Sequence, residues 1–187
     1  MMAFTDPLEF TREVYSINDF TVGLIAPHHL EGQYYAIKGI RPRFIHYSTK
    51  TDESLNITKQ TEPKKIRFFM DLFTAQSPEV HASAVDAVVP VMKEWIDFGR
   101  YYGSGVEFMS LFGRSNTEPA YGAYIGAQQK VDNILAPSLL LSQAGAIVSD
   151  WNGNSIEDSK LKDRVNIVIA ANSILHENLI LHLKGKI

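Results

Sequence analysis

Cysteine is absent from this 187-residue chain. That excludes disulfides, thiolate nucleophiles and zinc–thiolate sites, and it is compatible with a reducing cytoplasm. No apolar run approaches the ~20 residues that span a bilayer, so no membrane is expected as a partner. Met1 to Pro7 has no basic stretch followed by an apolar one, which argues against a signal peptide and makes the cytoplasm the default location. An excess of one charge is also missing: 18 Lys+Arg against 21 Asp+Glu give a net charge of −3. Nucleic acid is therefore not an expected partner either. No internal repeat or low-complexity tract interrupts the chain.

What is present is ordinary for a globular protein, with 45% apolar and 21% charged residues. The length suffices for one cored domain or a pair of small lobes. Phe20–Ala26 and Gln33–Lys38 read as a hairpin, and Arg43–Tyr47 as a further short strand. Ser48–Lys65 is polar and reads as an exposed loop and linker, dividing the chain into regions 1–65 and 66–187. Ile66–Phe73 is strand-like. Glu79–Phe98 carries Val85, Val88, Val89, Met92 and Trp95 at helical spacing, with Pro90 as a kink or a late start. Gly103-Ser104-Gly105 opens a second helix through Phe112. Ala120–Ala127 reads as a strand and Asn133–Ala144 as a helix capped by Gly145. Ala146–Val148 is a strand, Trp151–Asn154 a tight turn, and Val165–Ala171 a fully apolar strand. Ser173–Leu183 closes the chain as a helix, with Ser173 as its N-cap. Interleaved strands and helices make the class α/β, a layered α+β sandwich.

Isolated side-chain signals are weak. His28 and His29 fall in a turn with no third ligand nearby in sequence. Ser104 lacks the strand–Gly-x-Ser-x-Gly elbow of a serine nucleophile. Tyr34, Tyr35, Tyr101 and Tyr102 suit sheet and interface positions better than base stacking. Lys64, Lys65 and Arg67 suit a solvated strand edge.

Four stretches in fixed order say more. Asp6-Pro7-Leu8-Glu9-Phe10-Thr11, Gly103-Ser104-Gly105, Ala144-Gly145-Ala146 with Asp150-Trp151-Asn152-Gly153, and Ile167–Leu179 together resemble the inositol monophosphatase family of magnesium-dependent phosphatases. The resemblance runs from Asp6 to about Ile180. It implies that Asp6 and Glu9 are carboxylate ligands of magnesium and that Leu8 lends a backbone carbonyl. It implies that Phe10 and Thr11 open a phosphate-holding helix, with Thr11 catalytic, and that Gly103, Ser104 and Gly105 border the phosphate. A distal ligand is implied at the head of the helix that ends at Gly145. Ungapped alignment puts Asn133 there, and a one-residue slip puts Asp132 there.

The departures fall on the chemistry. Glu9 stands where the pattern has Asp, Phe10 where it has Gly, and Asn133 where it has Asp. Gly126 stands where the resemblance implies an acidic residue gripping substrate hydroxyls. The pattern's preceding helices, hairpin and Glu-Glu pair do not precede Asp6. Magnesium depends on charged oxygen ligands in near-octahedral geometry, so weak or absent binding is expected. The expectation is a fold lacking its N-terminal layer, kept as an impaired or inactive binding or assembly module. Its uncovered sheet would bind a second copy or a partner protein. The rival expectation is an active phosphatase of inositol phosphate or a related sugar phosphate, with missing groups supplied by a partner chain or lying outside this sequence. A sensor that binds a phosphorylated small molecule without hydrolysis is the third.

Overall fold

The structure, a computed structural model, describes residues 2–4, 15–27, 31–72, 77–95, 98–100, 108, 111, 113–114 and 121–186. Alternating burial builds the first sheet. β2 (Val22–Ile25) and β3 (Gly32–Ile37) form the expected hairpin, and β4 (Ile40–His46) extends it through the Lys38-Gly39 turn. β1 (Met2–Phe4) pairs with β2 on one side, and β5 (Asp52–Asn56) pairs with β4 on the other. β8 (Gly113–Arg114) completes an antiparallel sheet of order β1-β2-β3-β4-β5-β8.

This corrects the reading of Ser48–Lys65 as an exposed loop. β5 lies inside the sheet, Leu55 is fully buried, and Thr58 is buried after it. A strand with one solvated face and a single apolar residue pointing inward leaves almost no hydrophobic signal.

The second sheet has order β10-β11-β9-β6-β7. It comprises β6 (Arg67–Asp71), β7 (Phe98–Arg100), β9 (Tyr121–Lys130), β10 (Ile147–Asp150) and β11 (Arg164–Ala170). β6 runs parallel to β7 and β9, whereas β10 and β11 are antiparallel additions. Both faces of this sheet are buried, which explains its apolar strands. Phe68, Met70, Ala123, Ile125, Val168 and Ala170 pack under helices α1 (Pro78–Glu94) and α3 (Ser173–Leu183). Phe69, Tyr124, Ile167 and Ile169 face the first sheet across α2 (Val131–Gln143). The layers are thus sheet, α2, sheet, and the α1/α3 pair, a layered α+β sandwich as expected.

α2 is buried from Ile134 to Leu141 and tolerates Pro137 in its interior. Packing on both sides outweighs the missing backbone bond. It ends at Gly145, whose φ of 97° only glycine adopts freely. Pro90 lies inside α1 rather than delaying its start. α3 begins as expected, but its N-cap is Asn172, whose side chain accepts from Leu175 N at 3.1 Å; Ser173 is already helical. Asn outcompetes Ser here because its Nδ2 also donates to Gln60 O at 2.9 Å. The Trp151–Asn154 turn forms as expected. Asp150 Oδ1 accepts from the backbone N–H groups of Asn152 and Asn154, each at 2.8 Å.

Tyr34 is buried against Phe44, and the Tyr35 hydroxyl donates to Asp52, so both are sheet residues. Among the described residues no helix is long and apolar enough to cross a membrane.

Candidate functional site

The topology singles out one edge. From β6 the chain crosses through α1 to β7 on one side, and β9 lies on the other side of β6. Ligands of open parallel sheets bind outside the strand carboxyl ends where the order reverses in this way. Here that place is bordered by Asp71 at the end of β6, Gln128–Lys130 at the end of β9, and the head of α2.

The junction from β9 to α2 is held firmly. Gln128 has φ of 52°, a left-handed conformation that costs a non-glycine residue of order 1 kcal/mol. Three contacts hold it there. Gln128 N and Nε2 donate to Asn166 Oδ1 at 2.8 and 3.1 Å, and Arg164 Nη1 donates to Gln128 O at 2.8 Å. The buried Gln129 side chain donates to Asp71 O at 3.1 Å and Ala127 O at 3.3 Å, tying β9 to the end of β6. The first helical amide, Val131 N, donates to Asp163 O at 3.1 Å. The next two residues, Asp132 and Asn133, are half-buried in the first turn. Asp132 there complements the positive end of the helix dipole.

Gly126 belongs to the same site. A Cβ at this position would meet Gln129 Cγ at 2.6 Å and Tyr124 Oη at 2.7 Å. Tyr124 is buried and ring-packed on Phe108 at 4.3 Å between centroids. Any side chain at this position would first have to displace the tyrosine and the glutamine.

The donors at the head of α2 are one carboxylate, Asp132, and one neutral amide, Asn133. Among the described residues no group of three or more His, Cys, Asp or Glu side chains could hold a metal ion. Asp132 and Asn133 by themselves supply one charged and one neutral oxygen donor toward an octahedral magnesium site. Asp6, Leu8, Glu9, Phe10 and Thr11 lie outside the described residues, as do Gly103, Ser104 and Gly105. So do His28, His29, Tyr101 and Tyr102. Of the residues expected at the site, the structure therefore places Asp132, Asn133 and Gly126. It adds Gln128, Gln129, Arg164, Asn166 and Asp71, which nothing in the local sequence marks, because their roles come from strands distant in the chain.

No protein-family model and no curated protein sequence matches the chain. Solved structures do. The extragenic suppressor protein SuhB from Bartonella henselae superposes with a TM-score of 0.69 at 16% identity, over 90% of this chain and 59% of that one. An inositol monophosphatase from Zymomonas mobilis gives a TM-score of 0.65 at 13% identity, over 88% of this chain and 57% of that one. An IMPase/NADP phosphatase solved with Mg2+ and phosphate gives 0.55 at 13% identity, over 83% and 59%. The chain thus spans somewhat under two thirds of the length of these proteins. These superpositions lead to a single conclusion: this chain has the fold of the inositol monophosphatases.

Proposed function

We propose that the chain is an inositol monophosphatase-like protein that is catalytically impaired and acts in the cytoplasm as a binding or assembly module. The observation that carries this reading is Gly126. A side chain there would have to displace Gln129 and Tyr124, and Asn133 five residues after Gln128 supplies no charge. Two positions that the resemblance assigns to substrate and metal thus carry no carboxylate in the ungapped alignment. Magnesium binding is correspondingly weak or absent.

The assembly role is supported by the first sheet. α2 covers one of its faces: a Cβ on Gly23 would meet Leu140 and Ala136. On the opposite face Val22, Ile37 and Ile40 are cross-strand partners, and Ile37 and Ile40 are 40% and 51% exposed. Leu24 and Tyr35, partners in the same ladder, continue this face. No described helix lies on it. A second copy or a partner protein would bury it. Light scattering tests this: a concentration-dependent dimer or higher oligomer is expected, and a monodisperse monomer that captures no partner contradicts the assembly role.

The second reading is an active phosphatase acting on inositol phosphate or a related sugar phosphate, its carboxylates completed by a partner chain. The half-buried Asp132 in the first turn of α2 favours it, since one anionic ligand remains in place. Phosphate release measured with and without magnesium separates the two.

A further inference from the structure

The Trp151–Asn154 turn contains the one asparagine of the chain that is followed by glycine, Asn152. The side-chain amide of an asparagine can be attacked by the backbone nitrogen of the next residue, and a Cβ on that residue obstructs the approach. Gly153 has no Cβ, and its φ of 86° shows the backbone freedom it uses here. Asn152 and Gly153 are both exposed, so water reaches them.

The reaction needs no co-reactant but water. Gly153 N attacks Asn152 Cγ, and the new C–N bond closes a succinimide ring. The Cγ–Nδ2 bond breaks, and ammonia leaves with the proton from Gly153 N. Water then opens either carbonyl of the ring. One opening gives aspartate, and the other gives isoaspartate, in which the main chain runs through the side-chain carbon.

In the folded chain both reacting groups are held elsewhere. Gly153 N donates to Asp150 O at 3.0 Å, and Asn152 Oδ1 accepts from Gly185 N at 3.0 Å, just beyond α3. The Asp150 carboxylate fixes the turn around them. Its Oδ1 accepts from Asn152 N and Asn154 N, each at 2.8 Å, and its Oδ2 from Asn154 Nδ2 at 3.0 Å. Releasing two hydrogen bonds of ordinary strength slows a reaction roughly tenfold. An isoaspartate adds a main-chain atom between residues 152 and 153, so the bonds to Asp150 cannot re-form in the same register.

We propose that Asn152 is a deamidation site, held in check by the Asp150 turn and by the Gly185 latch, and released to react when either opens. The site does not depend on the functional reading above.

The full chain, folded and in guanidinium chloride, is incubated at mildly alkaline pH and mapped by mass spectrometry for a gain of one mass unit. Methylation by an isoaspartyl methyltransferase marks isoaspartate, which arises through the succinimide. Conversion is expected at Asn152 ahead of Asn154 in the same turn, and roughly tenfold slower in the folded chain than in denaturant. Asp150→Ala removes three hydrogen bonds of the turn and should bring the folded rate most of the way to the denatured one. Gly185→Pro removes the N–H donor and cannot hold a φ of 74°. It opens the latch alone, outside α3, and should speed conversion about threefold or more. Asn152→Gln, whose longer side chain disfavours ring closure, should silence the site. If Asp150→Ala does not fold, Gly185→Pro decides the matter. The proposal is overturned by equal rates in folded and denatured chains, or by Asn154 converting as fast as Asn152. A folded Asp150→Ala or Gly185→Pro protein that converts at the parent's rate overturns it as well.

Discussion

α2 seats against β2 between the two sheets, and Gly23 is a point of close approach to it. Its Cβ, if present, would stand 3.1 Å from Leu140 Cδ1, 3.2 Å from Ala136 O and 3.3 Å from Leu139 Cδ2. Two of these are tips of leucine side chains that can yield by a few tenths of an ångström, but the third is helix backbone. Gly23→Ala should therefore be mild. The clash is offset by the lower entropy of an unfolded chain carrying Ala, and the net cost is expected within about 1 kcal/mol. Gly23→Val adds two γ-methyls against the same backbone carbonyl and cannot be relieved by rotamer changes alone. Overpacking of this kind costs about 1–3 kcal/mol, so roughly 2 kcal/mol is expected. For a chain of this size that corresponds to a fall in Tm of about 4–8 °C. Urea unfolding followed by circular dichroism would measure it, with an unchanged m-value indicating that only the native state is affected. A Gly23→Val protein as stable as the parent would refute the close contact, and with it the placement of α2 between the sheets.

Other consequences concern α3. Asn172→Ala removes both the cap on Leu175 N and the bond to Gln60 O, and should cost about 1–2 kcal/mol by thermal unfolding. Ser173→Ala, at the position first expected to cap the helix, should change stability by no more than about 0.5 kcal/mol. His176 is half-buried, and burial holds its pKa below the ordinary 6.5, with Glu177 opposing. Its Nε2 lies 2.7 Å from Ser149 Oγ, which donates its own proton to Asp150 O. The unfolded chain thus takes up the proton more readily than the folded one. The stability tied to neutral His176 should be full above pH 6.5 and decline as pH falls below it toward the folded value. Urea midpoints between pH 7.5 and 5 would show this, and His176→Gln should flatten the profile in that window.

Much of this fold is legible because local pattern and tertiary burial agree. Phe68–Met70 and Ile167–Ala170 are apolar on both faces and prove to be strands buried on both sides. Gly145 and Asp150 punctuate the chain through backbone chemistry that any environment would impose. β5 was not legible, because its partners β4 and β8 come from elsewhere and it offers only Leu55 to the core. The candidate site was half legible. Asn133 and Gly126 stand out against the family pattern, but what fills the space beside Gly126 depends on Tyr124 and on Gln129 beyond the strained Gln128. No periodicity signals a glutamine with positive φ.

The chain has the inositol monophosphatase fold, and we propose that it is kept without the chemistry. Phosphate release from inositol 1-phosphate by the purified chain, with and without magnesium, tests it most directly. The expected result is no magnesium-dependent turnover above the blank, and none in Asn133→Asp, since restoring one carboxylate leaves the volume beside Gly126 filled. Magnesium-dependent turnover that disappears in Asp6→Asn would contradict the claim.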